Sequence, residues 1–374
     1  MAAISLVARR WVRTFNWPLA LASVLVTLLG LVIIQSANLH DAAAAAEYKK
    51  QAFYLVLGIA LMAALANVDY RNWRRWAPAA YGLNVLLLVF ILLAGHHARG
   101  AVRWISLGPL GQFQPSEPAK LFVAIAIAAA LCRAEYKRLR DLWLPLLLAL
   151  IPALLILRQP DLGTTLVILA ILTAQLYFGL PKLWHFGAYF ATLVAAAIIL
   201  LRTNLIKPFQ KARLLVFLNP KLDPQGAGYN LNQSKIAVGN GGWLGQGLHH
   251  GTQTQLNFVP EHSRDFIFTV VGEELGFVGA LCLLFLYAVI LAAGIRTMLV
   301  ARDRFGYLLA AGLVAMLIFH VMVNVGMTIG IMPITGIPLP FMSYGGSAIL
   351  TNFAAIGILL NIYAQKDRIV LGNA

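Results

Sequence analysis

Charge is what this chain has least of. Of its 374 residues, 11% are Asp, Glu, Lys or Arg, against roughly 25% in soluble globular domains. So few ionic groups cannot hydrate the surface of a water-soluble fold of this length, and lipid is the expected solvent. Carboxylates are scarcer still, with 14 acidic residues against 29 basic ones and a formal charge of +15. Cysteine is limited to Cys132 and Cys282. Both lie in apolar runs without metal-ligand spacing, so neither a disulfide nor a zinc site is expected. The nucleotide fingerprints GxxxxGK[ST] and strand-associated GxGxxG are missing, which leaves an ATP-driven reaction inside the cell without support. No internal repeat or low-complexity linker divides the chain, and a single membrane domain over residues 1–374 is the simplest organisation.

What is abundant is apolar sequence. Hydrophobic residues make up 60% of the chain, gathered into runs that approach the ~20 residues a helix needs to cross a bilayer. Ten runs can be drawn, near 16–36, 52–68, 79–95, 119–133, 142–158, 164–180, 185–201, 266–295, 306–331 and 344–364. The fourth and fifth are short and are expected to extend into their flanks. The first lacks a small-residue cleavage site and reads as a retained helix. The expected fold class is an all-α integral membrane protein of about ten transmembrane helices, with a large extracytoplasmic loop, 202–265, between spans 7 and 8. The basic excess does not point to nucleic acid, because the bases sit in short loops between apolar runs, as topology signals do. With the N-terminus in the cytoplasm, sixteen Lys and Arg fall in cytoplasmic segments and six in short outer ones; both termini are therefore expected inside.

The long loop opens with Arg202, Lys207, Lys211 and Arg213 among Leu, Ile, Val and Phe. That pattern suits a helix lying in the headgroup region or an ordinary connecting helix. The glycine-rich stretch GNGGWLGQGLHHGTQTQLNF follows and permits tight turns and close backbone approach.

Four polar stretches fall on the outer side. RGAVRWISLGPLGQFQPSEPAK (99–120) ends with Glu117 and Lys120 on one helix face, and RQPDLGTT (158–165) carries Asp161. VPEHSRDFIFTVVGEELG (259–276) places Asp265 at the seam between a charged loop and an apolar helix, and NVGMTIGIMPITGIPLPFMSYGGSA (324–348) is broken by Pro and Gly. Each has a plainer reading. Ser116, Glu117 and Pro118 also make a helix start, and Asp161 and Asp265 also suit N-caps. The last stretch is either a tight hairpin or a re-entrant segment shaping a cleft; broken backbone at membrane depth favours the cleft. Glu273 and Glu274 lie too deep for caps and require a polar interior or a buried partner. His249, His250 and His262 lack metal-site spacing, and His320, inside the ninth span, reads as a buried hydrogen-bonding residue.

Taken in order, QPSEPAK (114–120), RQPDLGTT, YNLNQSKIAVGNGGWLGQG (229–247), VPEHSRDFIFTVVGEELG and PLPFMSYGGS (338–347) resemble the motifs of the SEDS family of shape, elongation, division and sporulation proteins. The likeness covers nearly the whole chain. TQTQLNFVPEH and the short termini lie nearer the rod-shape members than the division members. One departure, His262-Ser263-Arg264 before Asp265, adds a positive charge there. The resemblance implies a peptidoglycan glycosyltransferase of the bacterial cytoplasmic membrane. Such an enzyme polymerises lipid II at the outer face during elongation, beside a class B penicillin-binding protein. Carried over by motif, it implies Glu117, Asp161 and Asp265 as functional carboxylates, with Lys120 as their basic companion.

The implied reaction needs a base for a sugar hydroxyl, assigned to Asp265, and positive charge for a departing pyrophosphate. Lys120, with Arg103, Arg158 or Arg264, would hold phosphate oxygens. A divalent cation held by acidic groups is the alternative. The lipid tail would lie in an apolar groove between spans, among membrane lipids. A lipid II flippase, a division polymerase and a non-catalytic scaffold are the rival readings. Polar groups gathered at the outer mouth, and halves without matching repeats, weigh against the flippase.

Overall fold

In lipid only a helix satisfies every backbone N–H and C=O within one segment, and the apolar runs are helical. The computed structural model describes residues 15–38, 46–94, 96–98, 101–106, 108, 112–133, 136, 138–202, 213, 216, 217, 219, 223 and 226–366. The helices are α1 (Trp17–Ala37), α2 (Glu47–Asn67), α3 (Tyr70–Ala94), α4 (Ser116–Leu131), α5 (Trp143–Arg158), α6 (Leu162–Gly179), α7 (Leu183–Arg202), α8 (Ala227–Asn240), the single turn α9 (Thr252–Gln255), α10 (Ile267–Leu299), α11 (Arg304–Ile329) and α12 (Gly346–Ala364). All but α8 and α9 overlie the expected spans. Among the described residues, eight helical segments are long and apolar enough to cross a membrane; α4, with 16 residues, falls short of that length. The amphipathic reading of the loop's opening rests partly on Lys207 and Lys211, which lie outside the described residues, as do both termini.

α4 can be short because protein surrounds it. Its 16 residues rise only ~24 Å, below the ~30 Å of hydrocarbon. Nearly all of them are buried, against α3, α5, α6 and α11, and its alanines let those neighbours approach closely. The polar stretch before it holds an element the sequence reading did not anticipate. Strands β1 (His96–Ala98), β2 (Ala101–Ser106) and β3 (Gln112–Phe113) form a small antiparallel sheet in that order. Its available signal is composition rather than alternation: Val102, Trp104 and Ile105 are β-branched or aromatic residues that favour strands.

α10 is broken nine residues after it starts. Gly276 takes φ 65°, ψ −164°, a conformation that L side chains adopt only with strain. The break strips the carbonyls before it and the amides after it of helical partners, and the glycine-rich loop replaces them. Gln246 and Gly247 donate to the carbonyls of Glu273 and Glu274 at 3.0 Å each, and Phe277 and Val278 donate to Gly242 and Trp243 at 2.9 and 3.1 Å. Approach is so close that a Cβ on Gly276 would lie 2.2 Å from the Gly245 nitrogen. The two deep acids are satisfied in the same place. Glu273 accepts from the amides of Gln253 (2.7 Å) and Thr254 (3.0 Å), clamping the start of α9, while Glu274 accepts from the Ser36 hydroxyl at 2.6 Å.

Gly276→Val should therefore lower thermal stability by at least about 1 kcal/mol through φ strain alone, with further loss from displacement of the loop. Gly82→Ala, whose Cβ meets nothing within 4 Å, should leave the unfolding midpoint unchanged or raise it slightly. Thermal unfolding of the purified protein in detergent compares the two.

Candidate active site

All four polar stretches meet at one end of the helix bundle, around a cavity of about 930 Å³. Gln112, Gln114 and Glu117 come from the first stretch and Pro160 and Asp161 from the second; Glu261, Arg264 and Asp265 come from the third, and Thr335 to Pro338 with Tyr344 to Ala348 from the fourth. Residues 331–345 are non-helical and shape this cleft, so the re-entrant reading holds over the hairpin. Glu47, Lys50 and Tyr54 at the start of α2 complete the wall, together with Arg103 and Trp104 of β2 and Arg213.

Asp265 is the group at this cavity whose carboxylate is left without a hydrogen bond among the described residues. It does not cap α10: Phe266 holds the cap position, with no side-chain bond. Its backbone is fixed instead, because Asn324 Nδ2 donates to the Asp265 carbonyl (2.8 Å) and to that of Ile337 (2.7 Å). One amide thus ties α11, the seam of α10 and the re-entrant segment together. Gly336, at φ 73°, faces the side chain; a Cβ there would sit 3.1 Å from an Asp265 oxygen and 3.6 Å from Arg213 Nη1. The Asp265 pKa is raised to about 6 in all: burial is the largest cause, Glu261 adds to the rise, and Arg213 and Arg264 oppose it. Burial in turn lowers the Arg213 pKa, with Asp265 opposing.

The other expected residues divide. Asp161 caps α6, accepting from the Thr164 amide at 3.1 Å, and also accepts from Gln114 Nε2 at 3.2 Å; capping and a place on the cavity wall coincide. Arg103 reaches across from β2 to donate to the carbonyls of Gln159 and Pro160. Glu117 lines the cavity, but Lys120 lies behind it at 1% exposure, with Nζ 2.8 Å from Glu117 Oε2 and 3.1 Å from His320 Nε2. His320 Nδ1 is 2.7 Å from the Met316 carbonyl. That leaves Nε2 to accept from the ammonium, a buried hydrogen-bonding role as expected.

Two assignments change. Arg158 is exposed at the end of α5 and does not line the cavity, because the chain turns at Gln159 and Pro160 and presents Arg103 in its place. Arg264 is committed to Glu47 at 3.0 Å and Glu261 at 3.5 Å, and lies over the Tyr344 ring at 5.1 Å. It joins α2 to the seam rather than standing free. Arg213 is visible in the sequence only as part of a basic run, and the roles of Gln114, Asn324 and Glu47 exist only across helices, where spacing carries no signal. The glycine and proline punctuation around Gly336 was the available signal for the cleft wall. Among the described residues no three His, Cys, Asp or Glu side chains cluster as metal ligands.

The FtsW/RodA/SpoVE family, described as "Cell cycle protein", matches residues 16–368. The chain is 41% identical over 314 residues to the peptidoglycan glycosyltransferase MrdB of Escherichia coli strain K12, covering 83% of this chain and 84% of that one. A solved structure titled "Structural coordination of polymerization and crosslinking by a peptidoglycan synthase complex" superposes with a TM-score of 0.81 at 32% identity, over 95% of this chain and 99% of the other. The crystal structure of the rod shape determining protein RodA of Thermus thermophilus gives a TM-score of 0.70 at 30% identity, over 95% and 98%.

Two measurements test this geometry. Lys120→Met leaves Glu117 buried and unpaired and should cost about 3–5 kcal/mol of stability, most of it recovered in Glu117→Gln/Lys120→Met. For Asp265, a folded-state pKa of about 6 above the ordinary 3.8 means that ionisation opposes folding. That opposition is complete above about 6 and vanishes as the pH falls toward 3.8. Asp265→Asn should therefore unfold at a higher temperature than the parent at pH 7.5, with the gap closing toward pH 4; an equal gap at both pH values would contradict the raised pKa.

Proposed function

This chain belongs to the FtsW/RodA/SpoVE (SEDS) family, and on that premise we propose that it is a peptidoglycan glycosyltransferase of cell elongation that uses Asp265 as its general base. The observation that carries the assignment is a partly buried carboxylate without a hydrogen bond among the described residues. It faces a cavity that also presents Arg213 and Arg103. The substrate is lipid II, the lipid-linked disaccharide precursor. Asp265 takes the proton from the C4 hydroxyl of one sugar as that oxygen bonds to the anomeric carbon of the other. The bond from that carbon to the pyrophosphate oxygen breaks, and the pyrophosphate leaves on its lipid.

A pKa near 6 suits this step, because a base works best when its pKa lies close to the ambient pH. Arg213 and Arg103 are the cations positioned for the pyrophosphate oxygens. Lys120 acts from behind, pairing with Glu117 and fixing its position at the cavity floor. With its carboxylates spread around the wall, a divalent cation bound here would draw its remaining ligands from the substrate phosphates. Glu117 and Asp161 act as substrate-positioning groups.

The protein is a multi-pass membrane protein. We place it in the bacterial cytoplasmic membrane with both termini inside, since the basic residues concentrate in the loops at the end remote from the cavity. The synthase complex it resembles couples polymerisation with crosslinking, which supports a class B penicillin-binding protein as partner.

Asp265→Asn should abolish polymerisation of lipid II by the purified protein while leaving membrane insertion intact, and parental activity should rise with pH through about 6. Glycan strands made by Asp265→Asn at the parental rate would remove this residue from the mechanism. Strands made in detergent, where no sidedness exists, would rule out a pure flippase.

A further inference from the structure

The end of the bundle remote from Asp265 holds a second cavity, of about 420 Å³, lined by Arg71, Arg74, Arg75, Arg133, Asp303 and Phe305. The distance between the two sites follows from the helices. α2 starts at the first cavity and runs its full 21 residues away from it before α3 begins, and α4 runs from Glu117 toward Arg133. Arg71, Arg74 and Arg75 stand at i, i+3 and i+4 in the opening turns of α3. They repel one another on one helix face, and they occupy the positive end of the helix dipole, where cations are disfavoured. Arg133 joins them from the end of α4. The one acid of the lining, Asp303, is engaged twice, 3.6 Å from Arg71 Nε and accepting from the Gly306 amide at 2.7 Å. Arg74, Arg75 and Arg133 have no carboxylate partner among the described residues. Retaining loops at this end requires basic residues somewhere near it; it does not require four guanidinium groups around a single cavity.

We propose that this cavity is a binding site for the headgroup of an anionic phospholipid. Four arginines and one aspartate leave a formal charge of +3, which one phosphodiester lowers by one unit and a headgroup with two phosphates by two, so the doubly charged headgroup is the better match. Guanidinium forks match phosphate oxygens two at a time. The surroundings specify a lipid rather than a soluble phosphate. Trp76, edge-on to Trp73 at 5.6 Å, starts an exposed stripe that continues along the same face of α3 through Leu83, Leu86, Phe90 and Leu93. A headgroup held by the arginines thus has its acyl chains directed along that stripe, with the tryptophan at headgroup depth.

Native mass spectrometry of the full-length protein in detergent tests this, with equal amounts of diphosphatidylglycerol, phosphatidylglycerol and phosphatidylethanolamine added, and inorganic pyrophosphate as the soluble arm. Diphosphatidylglycerol should be retained in preference to phosphatidylethanolamine. Arg74→Gln/Arg133→Gln should weaken its retention by roughly tenfold to thirtyfold. Arg140→Gln, an exposed arginine outside the cavity, should leave it unchanged. Equal retention of all three lipids, an unaffected double variant, or an equal loss in Arg140→Gln overturns the site. Displacement of the lipid by pyrophosphate overturns the lipid as its occupant. Unfolding of each variant without lipid confirms its fold, and Arg133→Gln alone carries the comparison if the double variant does not fold.

Discussion

The contact between Lys120 and Glu117 at 2.8 Å, with His320 on the far side of the ammonium, sets the terms for the end of the molecule that holds the larger cavity. Neither charge can be left alone so deep in the protein. Pairing them within one turn of α4 and giving the ammonium a second partner from α11 makes the two helices a unit. That unit forms the floor of the cavity. α4 can be short and rich in alanine because other helices enclose it, and its opening turn then presents Glu117 to the cavity with Lys120 behind.

The same requirement, that no polar group be stranded, explains the far wall. The break at Gly276 frees backbone groups at depth, and the loop from Gly242 to Gly247 supplies their partners by close backbone approach. Glu273 and Glu274 then fasten α9 and α1 to this junction. With the first part of α10 so held, the seam before it is stiff, and Asn324 locks the Asp265 backbone to the re-entrant segment. The one carboxylate of this region left without a hydrogen bond among the described residues is the one assigned to the chemistry. Satisfied neighbours and an unsatisfied centre are what preorganisation of a base requires.

The bundle has two electrostatic ends. At one, arginines alternate with carboxylates around a mixed cavity; at the other, four arginines line a cavity whose single acid is already engaged. Helices that run between them carry little charge along their length, so the two sites share a scaffold without sharing ionic contacts.

Composition and run length by themselves determined that this is a helical membrane protein, because an 11% charge content and repeated apolar runs leave no other way to satisfy backbone and surface. The four polar stretches were legible for the same reason: polar groups, Pro and Gly at membrane depth are conspicuous against such a background, and Asp265, Glu117 and Asp161 all line the cavity they form. What sequence spacing did not carry was pairing across helices. Only the tertiary structure decided that Lys120 lies behind Glu117 and that Arg103 rather than Arg158 reaches the site. It also decided that Arg264 is consumed by Glu47, that Arg213 stands beside Asp265, and that Asp265 is not a cap. Helical periodicity reports which residues share a face of one segment; which faces meet is settled by packing, and a charge's role follows from what it meets.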